Sequence, residues 1–150
     1  SVSALFNSSF MIWLERILLR EQSIAPNLVF EIDEEILDCH LAASIRVFEM
    51  LRRVGSRSCI SKFGRGLGSF RLYRELRPDY IKLDSALIDS IERDSASQQF
   101  IRMIVEISHR LGCVVIAEGV ENMSQRETLE RMYVDGVQGQ LVSKIIQISN

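Results

Sequence analysis

The stretch GCVVIAEGV, residues 112–120, is the strongest strand candidate in this sequence. It is a near-continuous apolar run, and it ends in a carboxylate, Glu118, where a loop should begin. Near-continuous apolar strands are typical of a parallel sheet that is covered on both faces. Shorter or weaker runs of the same kind lie at 27–32, 56–61, 79–84 and 134–139.

Longer segments with a helical period separate these runs. Apolar residues at i, i+3 and i+4 predict helices over 9–21, 40–54, 96–111 and 124–133. Gly55 and Gly112 follow two of these helices, as C-caps would. Ser124 with Glu127 forms a capping-box pattern at the start of the last helix. We expect the apolar stripe of the first helix, Trp13 included, to lie in the core.

The alternation of strands and helices predicts an α/β fold built from βα units, with five or six strands. No linker-like or low-complexity tract interrupts the sequence, so residues 1–150 are interpreted as one domain. A complete (β/α)₈ barrel typically needs about 250 residues. Spacing alone therefore leaves two architectures open, an open α/β sheet and the larger part of a barrel that lacks its first strands.

Charge and cysteine content exclude several classes of protein. The net charge is −2 and charges of both signs are interspersed, so binding of nucleic acid through bulk electrostatics is not expected. Apolar runs fall short of the ~20 residues that span a bilayer, and the start lacks a basic signal-peptide region. Cys39, Cys59 and Cys113 form no CxxC pair and are predicted to be free thiols. The chain is predicted to be cytoplasmic, with any membrane anchor elsewhere in its parent protein.

Candidate functional residues lie where the predicted strands end, because that edge of a parallel α/β fold carries the site. Several acids, a lysine and an amide at one edge would suit metal-assisted attack on a phosphate, since carboxylates hold hard cations. Any one of these residues by itself is more often solvated or structural than catalytic, and only the set as a whole favours a site. The candidates are Glu31, Glu34, Ser61, Lys62, Lys82, Asp84, Glu118, Glu121 and Gln138.

Five motifs in this chain resemble the EAL domain, the bacterial cyclic di-GMP phosphodiesterase family. LVFEIDEE (28–35) is similar to the family's FEITE strand, and ISKFGRGLGSF (60–70) to its DDFGTGYSS loop. RPDYIKLD (77–84), VVIAEGVEN (114–122) and DGVQGQLVS (135–143) resemble its P-x-D-x-(L/I)-K-I-D, AEGVE and QGYLFGRP segments. The motifs occur in the family's order and at matching spacing, and the resemblance runs from about Ser1 to Leu141.

The resemblance implies a partial (β/α) TIM-like barrel without its first strands, and it implies roles for single residues. Glu31 and Glu118 match metal-proximal glutamates, and Lys82 matches the catalytic lysine. Glu34 matches an acid that anchors the following loop. Gln138 matches a glutamine near the attacking water and the phosphate.

The sequence departs from the family at the paired aspartates that ligate both metals, which are Ser61 and Lys62 here. This exchange changes the formal charge of the pair from −2 to +1. A cation about 4 Å from Lys62 would be repelled by about 4 kcal/mol at an effective dielectric of about 20. Ser1 stands in place of a metal-binding asparagine, and Ser143 to Ile145 replace the family's final GRP. The site is therefore predicted to be a vestigial one, without metal, cofactor or catalysis.

The basic residues beside this site have two interpretations. Lys62 is expected to pair with Glu31 or Glu118, with its ammonium standing where a metal would sit. Lys62, Arg65 and Arg71 form a local basic cluster that could meet a phosphate, and a solvated loop is the alternative. In the family this glycine-rich loop couples metal occupancy to dimerisation, so it could also contact protein here.

These departures predict a degenerate EAL domain: a regulatory or scaffolding module of a bacterial signalling protein that acts through protein–protein contacts. A regulatory protein partner is expected, and also a homodimer that covers the open sheet edges. One alternative is a receptor that binds cyclic di-GMP without hydrolysis. Another is an active metal-dependent phosphodiesterase whose missing acids come from elsewhere.

Overall fold

A single mixed sheet organises the part of the chain that the computed structural model describes, which is residues 6–139 and the backbone of 142–147. Its strands follow one another in chain order, and the first five are parallel. The last strand pairs antiparallel with the fifth. The strands are β1 (Val29–Asp33), β2 (Arg57–Phe63), β3 (Tyr80–Leu83), β4 (Val114–Ala117), β5 (Gly136–Gly139) and β6 (Val142–Gln147).

Helices connect the parallel strands and confirm the predicted α/β fold. Short helices follow β1 and β3 directly, and the long helices then return the chain to the start of the next strand. The helices are α1 (Ser8–Arg20), α2 (Glu34–Cys39), α3 (Leu41–Val54), α4 (Ser69–Leu76), α5 (Ser85–Asp89), α6 (Ser95–Leu111) and α7 (Met123–Arg131), with a 3₁₀ turn at Ala25–Asn27.

The helix ends match the sequence signals in two cases and differ in one. Gly55 and Gly112 end α3 and α6 in the left-handed conformation, with φ of +82° and +75°. The predicted capping box at Ser124 is wrong. Asn122 is the N-cap of α7, and its side chain accepts a hydrogen bond from the backbone N–H of Gln125. The hydroxyl of Ser124 instead donates to Glu92.

Helices cover one face of the sheet, but the opposite face, which carries Glu31 and Tyr80, is only partly buried, so the expected cover on both faces is incomplete within the described residues. Ile60, Ile81, Val115 and Val137, one from each of β2 to β5, are fully buried. The thiols of Cys59 and Cys113 are buried and free, and Cys39 is free and exposed. Burial raises the pKa of both buried thiols to about 12, so they remain protonated and unreactive at neutral pH.

The first helix is less buried than its apolar stripe predicts. Leu18 is buried, but Trp13 is 55% exposed and stacks obliquely on Phe10. The prediction that Trp13 lies in the core is wrong for the described structure, because α1 packs on the core through Met11, Leu14 and Leu18. Within residues 6–139, no helix has the length and apolar character that a membrane crossing requires.

Candidate functional site

The carboxyl ends of the parallel strands bring a lysine and two glutamates together. The ammonium of Lys82 on β3 donates a hydrogen bond to Glu31 Oε2 of β1 at 2.7 Å. The same ammonium lies 3.8 Å from Glu118 Oε1, just after β4. Only 13% of the Lys82 side chain is exposed, so this pairing is partly shielded from water. Three predicted site residues thus form one ion-paired group.

Burial and charge act in opposite directions on this group. Burial by itself would lower the pKa of Lys82, but the hydrogen bond and charge of Glu31 raise that pKa above its ordinary value. Burial raises the pKa of Glu118, and the Lys82 ammonium partly opposes this rise. Lys82 therefore remains protonated, and its ammonium forms ion pairs with both glutamates.

A second group lies at the adjoining ends of β1 and β2. Ser61 Oγ donates to Asp33 Oδ1 at 2.6 Å, and Lys62 Nζ lies 3.1 Å from Asp33 Oδ2. The bond from Ser61 lowers the pKa of Asp33, burial opposes this effect, and Lys62 lowers the pKa further. The expected pairing of Lys62 with Glu31 or Glu118 is wrong, because Lys82 already occupies both glutamates.

The backbone explains where the Lys62 side chain goes. The register of β2 against β3 shifts between Ile60 and Phe63, and Lys62 within this bulge has a left-handed φ of +50°. Its side chain is 52% exposed and turns toward Asp33 at the end of β1. An irregularity of one residue thus directs this ammonium away from the Lys82 group.

Sequence reasoning did not select Asp33 as a site residue. The signal was present, because FEIDE has an aspartate where the similar family segment FEITE has a threonine. Asp33 and Ser61 are register partners across β1 and β2. Relative to the family pattern, the carboxylate is therefore on β1 instead of β2, and the hydroxyl is on β2 instead of β1. Asp33 of this pair forms the ion pair with Lys62.

The glycine-rich loop after β2 is anchored by a buried acid. Glu34, which is 4% exposed, accepts hydrogen bonds from the N–H of Gly64 at 2.6 Å and of Gly66 at 3.1 Å. It also accepts from Ser69 Oγ at 2.6 Å. This is the loop-anchoring position that the resemblance implies for Glu34.

The predicted basic cluster is only partly assembled. Arg65 lies 3.7 Å from Asp84 Oδ2, and it shares a small pocket with Lys62. Arg71 instead lines a separate groove between α4 and α6. The three cations therefore do not form one anion site, because Arg71 lines a different groove from Lys62 and Arg65.

The remaining predicted residues contribute to the fold, lie on the surface, or have no partner that the structure shows. Asp84 caps α5 by accepting from the N–H of Ala86, and Glu121 is exposed. Within the described residues, Oε1 of Gln138 on β5 is buried without a hydrogen-bond partner. Ser1 and the side chains of Ser143 to Ile145 lie outside the described residues, so the structure does not place them.

The residues present do not fit a divalent metal. Such an ion needs several oxygen ligands with an excess of negative charge. Here Glu31 and Glu118 share the Lys82 ammonium, and Asp33 binds Ser61 and Lys62. Among the residues that the structure describes, no group of three His, Cys, Asp or Glu side chains could hold a metal ion.

Comparison with known proteins identifies the family to which this fold belongs. The chain is an α/β domain with charged residues at the carboxyl ends of parallel strands, and the family model of the EAL domain matches residues 1–145. The chain therefore belongs to the EAL domain family. The predicted family and fold class are confirmed.

Two curated relatives and two solved structures illustrate the match. "Signaling protein YkoW" of Bacillus subtilis (strain 168) is 32% identical over 94% of this chain. "Cyclic di-GMP phosphodiesterase PdeF" of Escherichia coli (strain K12) is 26% identical over 96%. The chain spans 18% and 19% of these two proteins.

Vibrio cholerae LapD S helix-GGDEF-EAL, bound to c-di-GMP, superposes with a TM-score of 0.85 and 26% identity. The match covers 95% of this chain and 35% of that one. The phosphodiesterase PaMucR in its c-di-GMP complex gives a TM-score of 0.80 and 26% identity, over 98% and 60% of the two chains. The fold of this chain is therefore that of EAL barrel domains from cyclic di-GMP signalling proteins.

Proposed function

We propose that this chain is a non-catalytic EAL domain that regulates a signalling protein through contact with a protein partner. One observation carries the proposal: the acids at the strand ends are already neutralised by amines of the same chain. Lys82 pairs with Glu31 and Glu118, and Lys62 pairs with Asp33. A hydrolytic metal would have to compete with both ammonium groups for these carboxylates.

The electrostatic cost of such displacement supports this view. Lys82 is mostly buried, so leaving it beside a divalent cation would place like charges together at reduced dielectric. Lys62 is half exposed and is screened more strongly, so its repulsion is the smaller of the two. The loss of two carboxylates at positions 61 and 62 removes ligands in addition to the repulsion.

Exposed apolar side chains support a role in protein contact. β1 is an edge strand of the described sheet, and Leu28 and Val29 at its start are 37% and 48% exposed. Ile12 and Trp13 on α1 are each more than half exposed. Large apolar side chains at a sheet edge are typical of surfaces that another protein surface covers. A homodimer is one such arrangement.

A metal-binding and turnover experiment tests the loss of catalysis. The wild-type chain should bind Mn²⁺ weakly in electron paramagnetic resonance titrations and should not hydrolyse cyclic di-GMP with Mn²⁺ or Mg²⁺. Ser61→Asp with Lys62→Asp should bind Mn²⁺ about tenfold or more tightly, because it restores two carboxylates and removes a cation. PdeF of Escherichia coli serves as the positive control for turnover.

Two results would contradict the proposal. One is tight Mn²⁺ binding by the wild-type chain, and the other is chelator-sensitive turnover that Lys82→Ala abolishes. Arg46→Ala is the matched control, because Arg46 is exposed on α3 and does not line the pocket beside Lys62. It should leave Mn²⁺ binding unchanged.

A second candidate function is binding of cyclic di-GMP without hydrolysis. Two observations favour it: related solved structures are bound to c-di-GMP, and the buried Oε1 of Gln138 lacks a partner within the described residues. Calorimetric titration with cyclic di-GMP in the presence of a chelator tests this role. Binding that Gln138→Leu weakens would support it, and a flat titration would exclude it.

A further inference from the structure

A groove between α4 and α6 extends to the amino ends of the strands, whereas the candidate site lies at their carboxyl ends. It has a volume of about 830 Å³, and Asp79 and Gly112, which precede β3 and β4, close its end. The groove is therefore at the amino ends of the strands. None of the residues that form the Lys82 and Asp33 groups lines it.

One wall of this groove carries three arginines. Arg71 and Arg74 lie one helical turn apart on α4, and Arg77 follows at the end of that helix. All three are exposed, and none forms an ion pair or side-chain hydrogen bond with another described residue. Arg71 does not pair even with Glu75, which stands four residues further along α4.

The facing wall is apolar. Ile107 and Leu111 lie four residues apart on α6, and Leu111 is 66% exposed. Phe70 of α4 is half-buried and contributes aromatic surface between the two walls, whereas Tyr73 is buried beneath the groove. Arginine and aromatic residues without lysine are the composition that is enriched at protein interfaces.

The one carboxylate in the lining is hydrogen-bonded to neutral groups. Asp79 Oδ2 accepts hydrogen bonds from the N–H of Ser58 at 2.8 Å and from its hydroxyl at 3.4 Å. These hydrogen bonds join the start of β2 to the segment before β3, and Asp79 forms no ion pair with the described arginines, so three cations and one anion leave the lining with an excess of positive charge. The groove thus offers unpaired positive charge along one side and exposed apolar surface along the other.

From this arrangement we infer that the α4–α6 groove binds an acidic amphipathic helix of a protein partner. The cations on α4 and the apolar residues on α6 both repeat at about one helical turn, 5.4 Å. A helix laid along the groove repeats its own side chains at that spacing, so glutamates at one edge meet the arginines while leucines pack on Ile107 and Leu111. This inference deepens the proposed partner role by naming the chemistry of the partner.

The test uses synthetic peptides of about 15 residues, long enough to span about 22 Å as a helix. One peptide has leucines on one face and glutamates along its edge, and a second has glutamines in place of the glutamates. The wild-type chain should bind the glutamate peptide in fluorescence anisotropy titrations, about tenfold or more tightly than the glutamine peptide, and less tightly as salt increases.

Charge reversal of the groove locates the binding. Arg71→Glu with Arg74→Glu should weaken binding of the glutamate peptide about tenfold or more and should permit binding of a third peptide that has lysines at the same positions. The control pair is Arg46→Glu with Arg93→Glu, two exposed arginines outside the groove, which changes the net charge equally. This control should retain the wild-type affinity. Arg71→Gln with Arg74→Gln repeats the test if the reversed variant does not fold.

Several results would overturn the inference. These are equal binding of the glutamate and glutamine peptides, equal losses in the groove and control variants, or binding only to vesicles of anionic phospholipid. The outcome is separate from the catalytic question, because Mn²⁺ binding and turnover report on the strand carboxyl ends. A chain that hydrolyses cyclic di-GMP but binds the peptide would contradict only the proposed loss of catalysis.

Discussion

Asp33 shows how one exchanged residue changes the chemistry of a strand end. Its carboxylate accepts a short hydrogen bond from Ser61 and lies beside the Lys62 ammonium, and these contacts hold its pKa below the ordinary value of 3.8. A carboxylate with a lowered pKa stabilises the fold above its ordinary pKa, and this stabilisation is lost as the pH falls through the folded pKa. The Asp33–Ser61 pair is therefore a stabilising contact at neutral pH.

Ser61→Ala should raise the pKa of Asp33 toward 3.8, because the bond from Ser61 is the largest cause of the lowering. The free energy of unfolding at pH 7 should fall by about 1 kcal/mol or less, since Asp33 is a third exposed and its charge is screened. The difference between variant and wild type should shrink as the pH falls through the pKa of Asp33. Carboxyl NMR titration and urea unfolding at two pH values measure both effects.

Asp94 is an internal control for this titration. Ser97 and the N–H of Ala96 hold its pKa below the ordinary value, and neither contact involves Ser61. The pKa of Asp94 should be the same in wild type and variant. An unchanged pKa of Asp33 in Ser61→Ala would show that the Ser61–Asp33 bond has no electrostatic effect in solution.

At the scale of elements, the loop after β2 depends on one glycine and one acid. Gly64 has a φ of +99°, and a Cβ at this position would lie 2.6 Å from Leu87 Cδ1 and 2.9 Å from Phe100 Cε1. Its N–H donates to the buried Glu34. Both the backbone conformation and the space beside it therefore require glycine, and the loop is packed against α5 and α6.

Gly64→Ala should destabilise the protein by about 2 kcal/mol or more, because a left-handed conformation and overpacking act together. Gly55→Ala is the matched control: its φ is +82°, but a Cβ there meets nothing within 4 Å. This control should cost about 1 kcal/mol from the backbone alone. Urea unfolding measures both variants, and equal losses would show that the contacts with Leu87 and Phe100 yield without cost.

The same elements show which structural features can be predicted from sequence patterns. The parallel strands and the C-caps at Gly55 and Gly112 agree with the sequence, because apolar runs and glycine positions are local signals. The N-cap of α7 at Asn122 and the exposure of Trp13 do not. Each depends on which neighbouring group the element packs against or reaches, and periodicity does not contain that information.

At the scale of the whole molecule, exposed apolar residues predict self-association. Ile12 and Trp13 on α1, with Leu28 and Val29 at the β1 edge, present apolar surface that water contacts unfavourably. Within the described part of the chain, the outer edge of β1 has no neighbouring strand, so its backbone groups are open to pairing with another strand. Association of two copies would cover both features.

The chain should therefore form dimers or larger species in sedimentation velocity experiments at high concentration, and Trp13→Glu should shift the distribution toward monomer. Tyr133→Glu is the control, since Tyr133 is 69% exposed after α7 and belongs to neither α1 nor β1. A stable monomer at high concentration, or equal shifts in both variants, would contradict this expectation.

The sequence alone determined the α/β class, the parallel strands, the EAL family and the charged residues at the strand ends, since these follow from local periodicity and from motifs in order. Only the tertiary structure decided which charges meet. Lys82 forms ion pairs with Glu31 and Glu118, and Lys62 with Asp33. Arg71 lies in the α4–α6 groove and not at the strand ends. The reason is geometric, because these side chains are far apart in sequence. The distances between them are set by the strand register, by the bulge before Phe63 and by the orientation of α4.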